Sequence, residues 1–155
     1  MFEKIATDEA PVISAEYIGN RKQPYLWKLT RSIRILLPAP WNRWLRIPKG
    51  YTTNFASVPG IAQPIIPTQG PATSIAATVH DWLYDNQDMA DTLGHKAARK
   101  RADDIFLALL DRYEPDRKFR NRIMYRAVRW FGKRQWDLVE APNLDRNQDN
   151  PITYE

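Results

Sequence analysis

The chain of 155 residues contains no cysteine, and this absence excludes disulfide bridges and thiolate chemistry. The fold must therefore be held by its core. A chain of this length can bury roughly 70% of the surface that it exposes when unfolded. We expect one domain that tolerates a reducing compartment.

Long apolar segments are also missing. No run approaches the roughly 20 apolar residues of a membrane-spanning helix. The first residues lack the basic and apolar stretches of a secretory signal, and the chain has neither internal repeats nor low-complexity tracts. We therefore expect no transmembrane segment, and residence in the cytoplasm of the cell that makes the protein.

Positive charge is present but unevenly spread. The whole chain carries a net charge of +5, whereas residues 112–134 alone hold nine basic and two acidic residues, a net charge of +7. Four of these basic residues would form one line on a helix: Arg122, Arg126, Arg129 and Lys133. This line is a candidate binding surface for nucleic acid or anionic lipid, or else the solvated flank of a helix.

The first third of the chain has the pattern of short strands. Residues 25–37 and 43–53 alternate partly between apolar and polar side chains. Two prolines separate these segments, and a Pro-Lys-Gly turn divides the second one. The pattern predicts a small antiparallel β region.

The remainder predicts three helices, at residues 71–87, 95–113 and 116–134, with Gly132 near the end of the third. Apolar spacing predicts their inward faces. These are Ile75, Val79 and Leu83; then Ala98, Ala102, Ile105, Phe106 and Leu109; then Phe119, Ile123, Ala127, Trp130 and Phe131. Strands followed by helices indicate an α+β fold, in which the β region packs on a three-helix unit. We predict one domain over residues 1–136 and an extended tail over residues 137–155.

The pentapeptide HDWLY at residues 80–84 holds one of only two histidines. On a helix, His80 and Tyr84 would share a face, with Asp81 about 100° around the axis. Asp103 on the neighbouring helix could project towards His80. A carboxylate on one imidazole nitrogen would orient His80 as a general base, and Asp81 could bind a cation. The alternative is an ordinary polar seam between helices.

Four segments together resemble a known family. They are TTNFASVP (52–59), VHDWLY (79–84), RADDIF (101–106) and YRAVRWFGKRQW (125–136). They resemble domain-of-unknown-function family 1353, found in phages and bacteria, over about residues 45–136. The resemblance implies a phage or prophage origin but no established activity. The chain departs from the family pattern at Asn54, where the family prefers aspartate.

A more distant resemblance is to the catalytic helices of phospholipase A-two enzymes, which carry His-Asp-x-x-Tyr on one helix and an aspartate on an antiparallel partner. It implies that His80 is the base, that Asp81 is a calcium ligand, and that Tyr84 and Asp103 orient the base. The glycine-rich calcium loop and the disulfides of those enzymes are absent from this sequence.

The sequence favours a phage-encoded virion or assembly-associated protein, of the tail-component type, without catalysis. Its partners would be other phage proteins or further copies of itself, and it would pass from the host cytoplasm into the virion. One alternative is a small lipid- or envelope-directed hydrolase that uses His80 and Asp103 with calcium. A second alternative is a basic phage protein associated with nucleic acid.

Overall fold

The computed structural model describes residues 11–23, 26–54, 71–87 and 89–138. Five short strands precede four helices. The strands are β1 (Ala15–Tyr17), β2 (Trp27–Leu29), β3 (Ile33–Leu36), β4 (Trp44–Ile47) and β5 (Thr52–Thr53). The helices are α1 (Pro71–Asn86), α2 (Ala90–Leu93), α3 (His95–Tyr113) and α4 (Lys118–Leu138), with a 3₁₀ turn (Pro115–Arg117) before α4. This order confirms the predicted α+β class.

The strands form two antiparallel groups, β1-β2-β5 and β3-β4. In the second group Ile33 pairs with Ile47, and Ile35 pairs with Leu45. All four of these side chains are buried, while their neighbours along the strands are more exposed. The period-two alternation therefore supplies one apolar face to the core, as expected for a sheet that is covered on one side.

Helices α1 and α3 pack on each other more extensively than any other pair of elements. The predicted apolar residues of both helices are buried, from Ile75 to Leu83 on α1 and from Ala98 to Leu109 on α3. Helix α3 has the predicted bounds, and α1 ends one residue early, at Asn86. The segment between them contains the four-residue helix α2.

Helix α4 differs from its prediction in length. It begins at Lys118 and ends at Leu138, so Gly132 lies inside the helix and not near its end. The predicted tail at 137–155 is therefore wrong at its start, because its first two residues are helical. Residues 139–155 lie outside the described residues, as do residues 55–70. No helix among the described residues is long and apolar enough to cross a membrane.

Helix α4 also differs in which face it buries. The predicted inward residues Phe119 and Trp130 are each 82% exposed. The buried side chains are instead Asn121, Met124, Val128 and Trp136. Polar contacts hold α4 in this orientation. The Asn121 amide donates hydrogen bonds to Asp111 and to the Glu114 carbonyl oxygen. Arg99 of α3 donates hydrogen bonds to backbone carbonyls in the middle of α4.

Candidate functional site

Three predicted site residues meet between α1 and α3. The Nε2 atom of His80 lies 2.7 Å from Asp103 Oδ1. The hydroxyl of Tyr84 donates to the same carboxylate oxygen, also at 2.7 Å. The geometry expected from the His-Asp-x-x-Tyr spacing and its partner aspartate is therefore present.

The positions of these residues on α1 and α3 explain why their side chains are in contact. His80 and Tyr84 lie one turn apart on α1, and their ring centroids are 4.1 Å apart. Asp103 lies on the apolar side of α3, next to Ala102, and is fully buried. The Phe106 ring lies 5.2 Å from the His80 ring and so covers it from α3. The polar group is thus held inside the helix interface, and His80 is only 3% exposed.

A fourth residue, Arg129 of α4, completes the group. Its Nη1 atom donates to the second oxygen of Asp103 at 2.7 Å. Sequence reasoning assigned Arg129 to the basic line and missed this role. A signal was available, because a buried carboxylate demands a cation or several donors. The candidate site therefore joins α1, α3 and α4 through one aspartate.

These contacts set the protonation of the site. Burial opposes ionisation of Asp103, but hydrogen bonds from His80, Tyr84 and Arg129 lower its pKa below the ordinary value. The group is thus a carboxylate near neutral pH and can only accept hydrogen bonds. His80 Nε2 is then the donor in its contact with Asp103 Oδ1. Burial and the charge of Asp103 both raise the pKa of Tyr84, so its hydroxyl stays a donor.

Asp81, the predicted metal ligand, lies on a different side of α1. The Thr53 hydroxyl of β5 donates to Asp81 Oδ2 at 2.6 Å. Within residues 11–23, 26–54, 71–87 and 89–138, no three His, Asp or Glu side chains group in a way that could hold a metal ion. The role of Asp81 as a calcium ligand, which the phospholipase resemblance implies, stays a prediction.

A family model for the protein of unknown function DUF1353 matches residues 27–128, which is more than half of the chain. The chain belongs to this family. No curated protein and no solved structure matches it. The match begins earlier than the resemblance at residues 45–136 and also ends earlier. It contains His80, Tyr84 and Asp103 and stops one residue before Arg129.

In this DUF1353 protein, Gly132 lets α4 pass directly over Tyr84. A Cβ atom added at Gly132 would lie 2.6 Å from the Tyr84 hydroxyl oxygen, closer than real Cβ atoms come to their neighbours. One turn further along α4, the Trp136 ring packs edge-on against Tyr84. The backbone carbonyl oxygen of Trp136 accepts a hydrogen bond from the Gln87 side chain. Gly132 and Trp136 are positioning residues that sequence reasoning missed, although a lone glycine in a basic helix was the available signal.

The predicted basic line does not present four equivalent cations. Arg122 and Arg126 are exposed on α4. Arg129 pairs with Asp103, and Lys133 pairs with Asp137 one turn later on the same helix. The proposed role of the line in binding stays a prediction, and Arg122, Arg126 and Lys133 are its exposed members.

Two described cavities lie near the site but do not include His80 among their lining residues. One of about 300 Å³ lies beside Tyr51, Trp82 and Asp85. The other, of about 630 Å³, lies between Trp41 and Ile105. The position of His80 along α1 directs it instead towards Asp103 and Phe106.

Proposed function

We propose that the protein is a hydrolase in which His80 is the general base and Asp103 orients it. The observation that carries the proposal is the 2.7 Å contact between His80 Nε2 and Asp103 Oδ1. Tyr84 donates to the same oxygen, and Arg129 donates to the second one. A carboxylate that is fixed by other donors can stabilise an imidazolium without taking its proton. This arrangement supports catalysis, whereas the sequence alone favours a non-catalytic role.

The chemistry needs only water and an acyl substrate. His80 accepts a proton from water, and the water oxygen forms a bond to the carbonyl carbon of an ester. The carbon–oxygen bond to the leaving alcohol then breaks, and the imidazolium returns the proton to that oxygen. Asp103 stabilises the imidazolium, and Arg129 keeps Asp103 ionised. The His-Asp-x-x-Tyr spacing of α1 and the partner aspartate of α3 resemble the catalytic helices of phospholipase A-two enzymes. A lipid or cell-envelope ester is therefore the first substrate to test.

The test compares His80→Gln with His95→Gln. Glutamine keeps a hydrogen-bonding group near Asp103 but cannot act as the base, so we expect His80→Gln to abolish hydrolysis of phospholipids and simple esters, a loss of about 100-fold or more. His95 is exposed and pairs with Asp137, so His95→Gln should keep full activity. Hydrolysis is followed by release of fatty acid, with thermal melting as the control for folding. If the wild-type protein releases no acid from any ester, this proposal is wrong.

A second candidate is a non-catalytic virion or assembly protein. It is favoured by the satisfaction of Asp103 within the fold, where three side chains donate to its two oxygens, and by the burial of His80. This proposal expects the protein in purified particles at a fixed copy number, measured by mass spectrometry. It also expects that deletion of residues 139–155, which leaves α4 whole, stops assembly. Absence from the particles would remove this candidate.

A further inference from the structure

Helix α4 carries an apolar ridge that faces solvent. Its members, Phe119, Ile123 and Trp130, are 82%, 37% and 82% exposed. Their spacing of four and seven residues places them within about 40° of one another around the helix. Val128 and Asn121, which are buried, lie on the opposite side. The ridge runs for about 16 Å along the helix.

Such a ridge is unusual in a folded chain. Two fully solvated aromatic rings on one line lose the stabilisation that burial would give each of them. Scattered apolar residues need no explanation, but a continuous row of large ones marks an interaction surface. Phe131 and Leu138 are also exposed, and they lie about 80–100° around the helix from the ridge.

Positive charge surrounds the ridge. Lys118, Arg122, Arg126 and Lys133 run along one side of it, and Arg134 lies on the other. Within α4 the only acidic residue is Asp137, which pairs with Lys133. A cavity of about 250 Å³ opens where Phe119 and Ile123 meet Lys118, Arg122 and Arg126. Apolar side chains and cations therefore share one hollow, which suits an anionic head group attached to an apolar chain.

We propose that this ridge of α4 docks on the surface of an anionic lipid membrane. The helix would lie in the plane of the interface, with Phe119, Ile123 and Trp130 at the boundary between head groups and acyl chains, and with the flanking cations on lipid phosphates. A second copy of the chain fits less well, because it would bring like charges together. Single-stranded nucleic acid also fits less well, because it favours a basic groove that follows the strand, whereas the hollow on α4 is lined by residues within 118–126.

The proposal stands apart from hydrolysis, because the ridge lies on the solvent side of α4 and the His80 group on its inner side. If both proposals hold, docking delivers a lipid hydrolase to its substrate. The two can fail separately. Membrane binding is therefore measured with the His80→Gln protein as well as the wild type, and we expect equal binding.

The experiment is co-sedimentation with vesicles of phosphatidylcholine alone, or of phosphatidylcholine and phosphatidylglycerol in equal parts. We expect the wild type to bind the mixed vesicles at least about tenfold more strongly, and to lose this preference as salt is added. Arg122→Glu with Arg126→Glu should reduce binding about tenfold or more. Phe119→Ser with Trp130→Ser should reduce binding to both kinds of vesicle.

Matched controls lie outside α4, in the N-terminal part of the chain. Arg21→Glu with Lys22→Glu makes the same charge change at exposed positions between β1 and β2, and Val12→Ser removes another exposed apolar side chain. Both should leave binding unchanged. The proposal is overturned if the wild type ignores anionic vesicles, or if the controls weaken binding as much as the α4 variants. It is also overturned if the ridge variants abolish a dimer or binding to single-stranded nucleic acid and leave vesicle binding intact.

Discussion

At the scale of single residues, the close approach of Gly132 to Tyr84 decides how α4 packs. Alanine normally stabilises a helix interior by about 1 kcal/mol relative to glycine. Here we expect Gly132→Ala to destabilise the protein by about 1–3 kcal/mol, because the new Cβ meets the buried Tyr84 hydroxyl. Urea unfolding, followed by circular dichroism, measures the change.

Tyr84→Phe supplies the matched background for that substitution. It removes the oxygen that the Cβ would strike, at a cost of about 1 kcal/mol for the lost hydrogen bond to Asp103. In this background Gly132→Ala should be neutral or stabilising. Equal destabilisation in both backgrounds would show that the hydroxyl is not what requires glycine at this position.

At the scale of elements, apolar spacing correctly predicted α1 and α3, because nearly every large apolar residue of these helices is buried. The His80–Asp103 contact followed from that correct prediction, since the two stripes fixed which polar residues lie at their edges. The strands were equally predictable from the sequence, because the buried residues Ile33 and Ile35 alternate with half-buried neighbours.

The same reasoning failed for α4, and the reason is physical. Apolar spacing assumes that the most apolar face is the buried one. In α4 that face is exposed, whereas the inner face is narrow and is held by the Asn121 amide, the Arg129 guanidinium and the bare backbone of Gly132. These three interactions each depend on a partner from another element. They cannot be predicted from the periodicity of α4 alone.

At the scale of the whole molecule, one buried carboxylate joins three helices and so links the stability of the fold to pH. The pKa of Asp103 is lower in the folded protein than its ordinary value, because donors from α1 and α4 outweigh the effect of burial. The stabilisation that the Asp103 carboxylate gives to the fold is therefore complete above the ordinary aspartate pKa of about 4. The contribution is lost as the pH falls below that value, through the folded pKa.

Asp103→Asn tests this linkage. At pH 7 we expect it to lower the free energy of unfolding by about 3 kcal/mol, because it leaves the Arg129 guanidinium without its carboxylate. The difference in the free energy of unfolding between wild type and variant should become smaller as the pH falls below about 4, since Asp103 of the wild type then loses its charge. Asp104→Asn, at a half-buried neighbouring position that pairs with Lys100, is the control and should cost less. Urea titrations over a pH series measure the free energy of unfolding of both variants. Arg129→Gln replaces Asp103→Asn as the test variant if Asp103→Asn does not fold. A gap that stays constant down to the lowest pH would mean that the charge of Asp103 does not stabilise the three-helix junction.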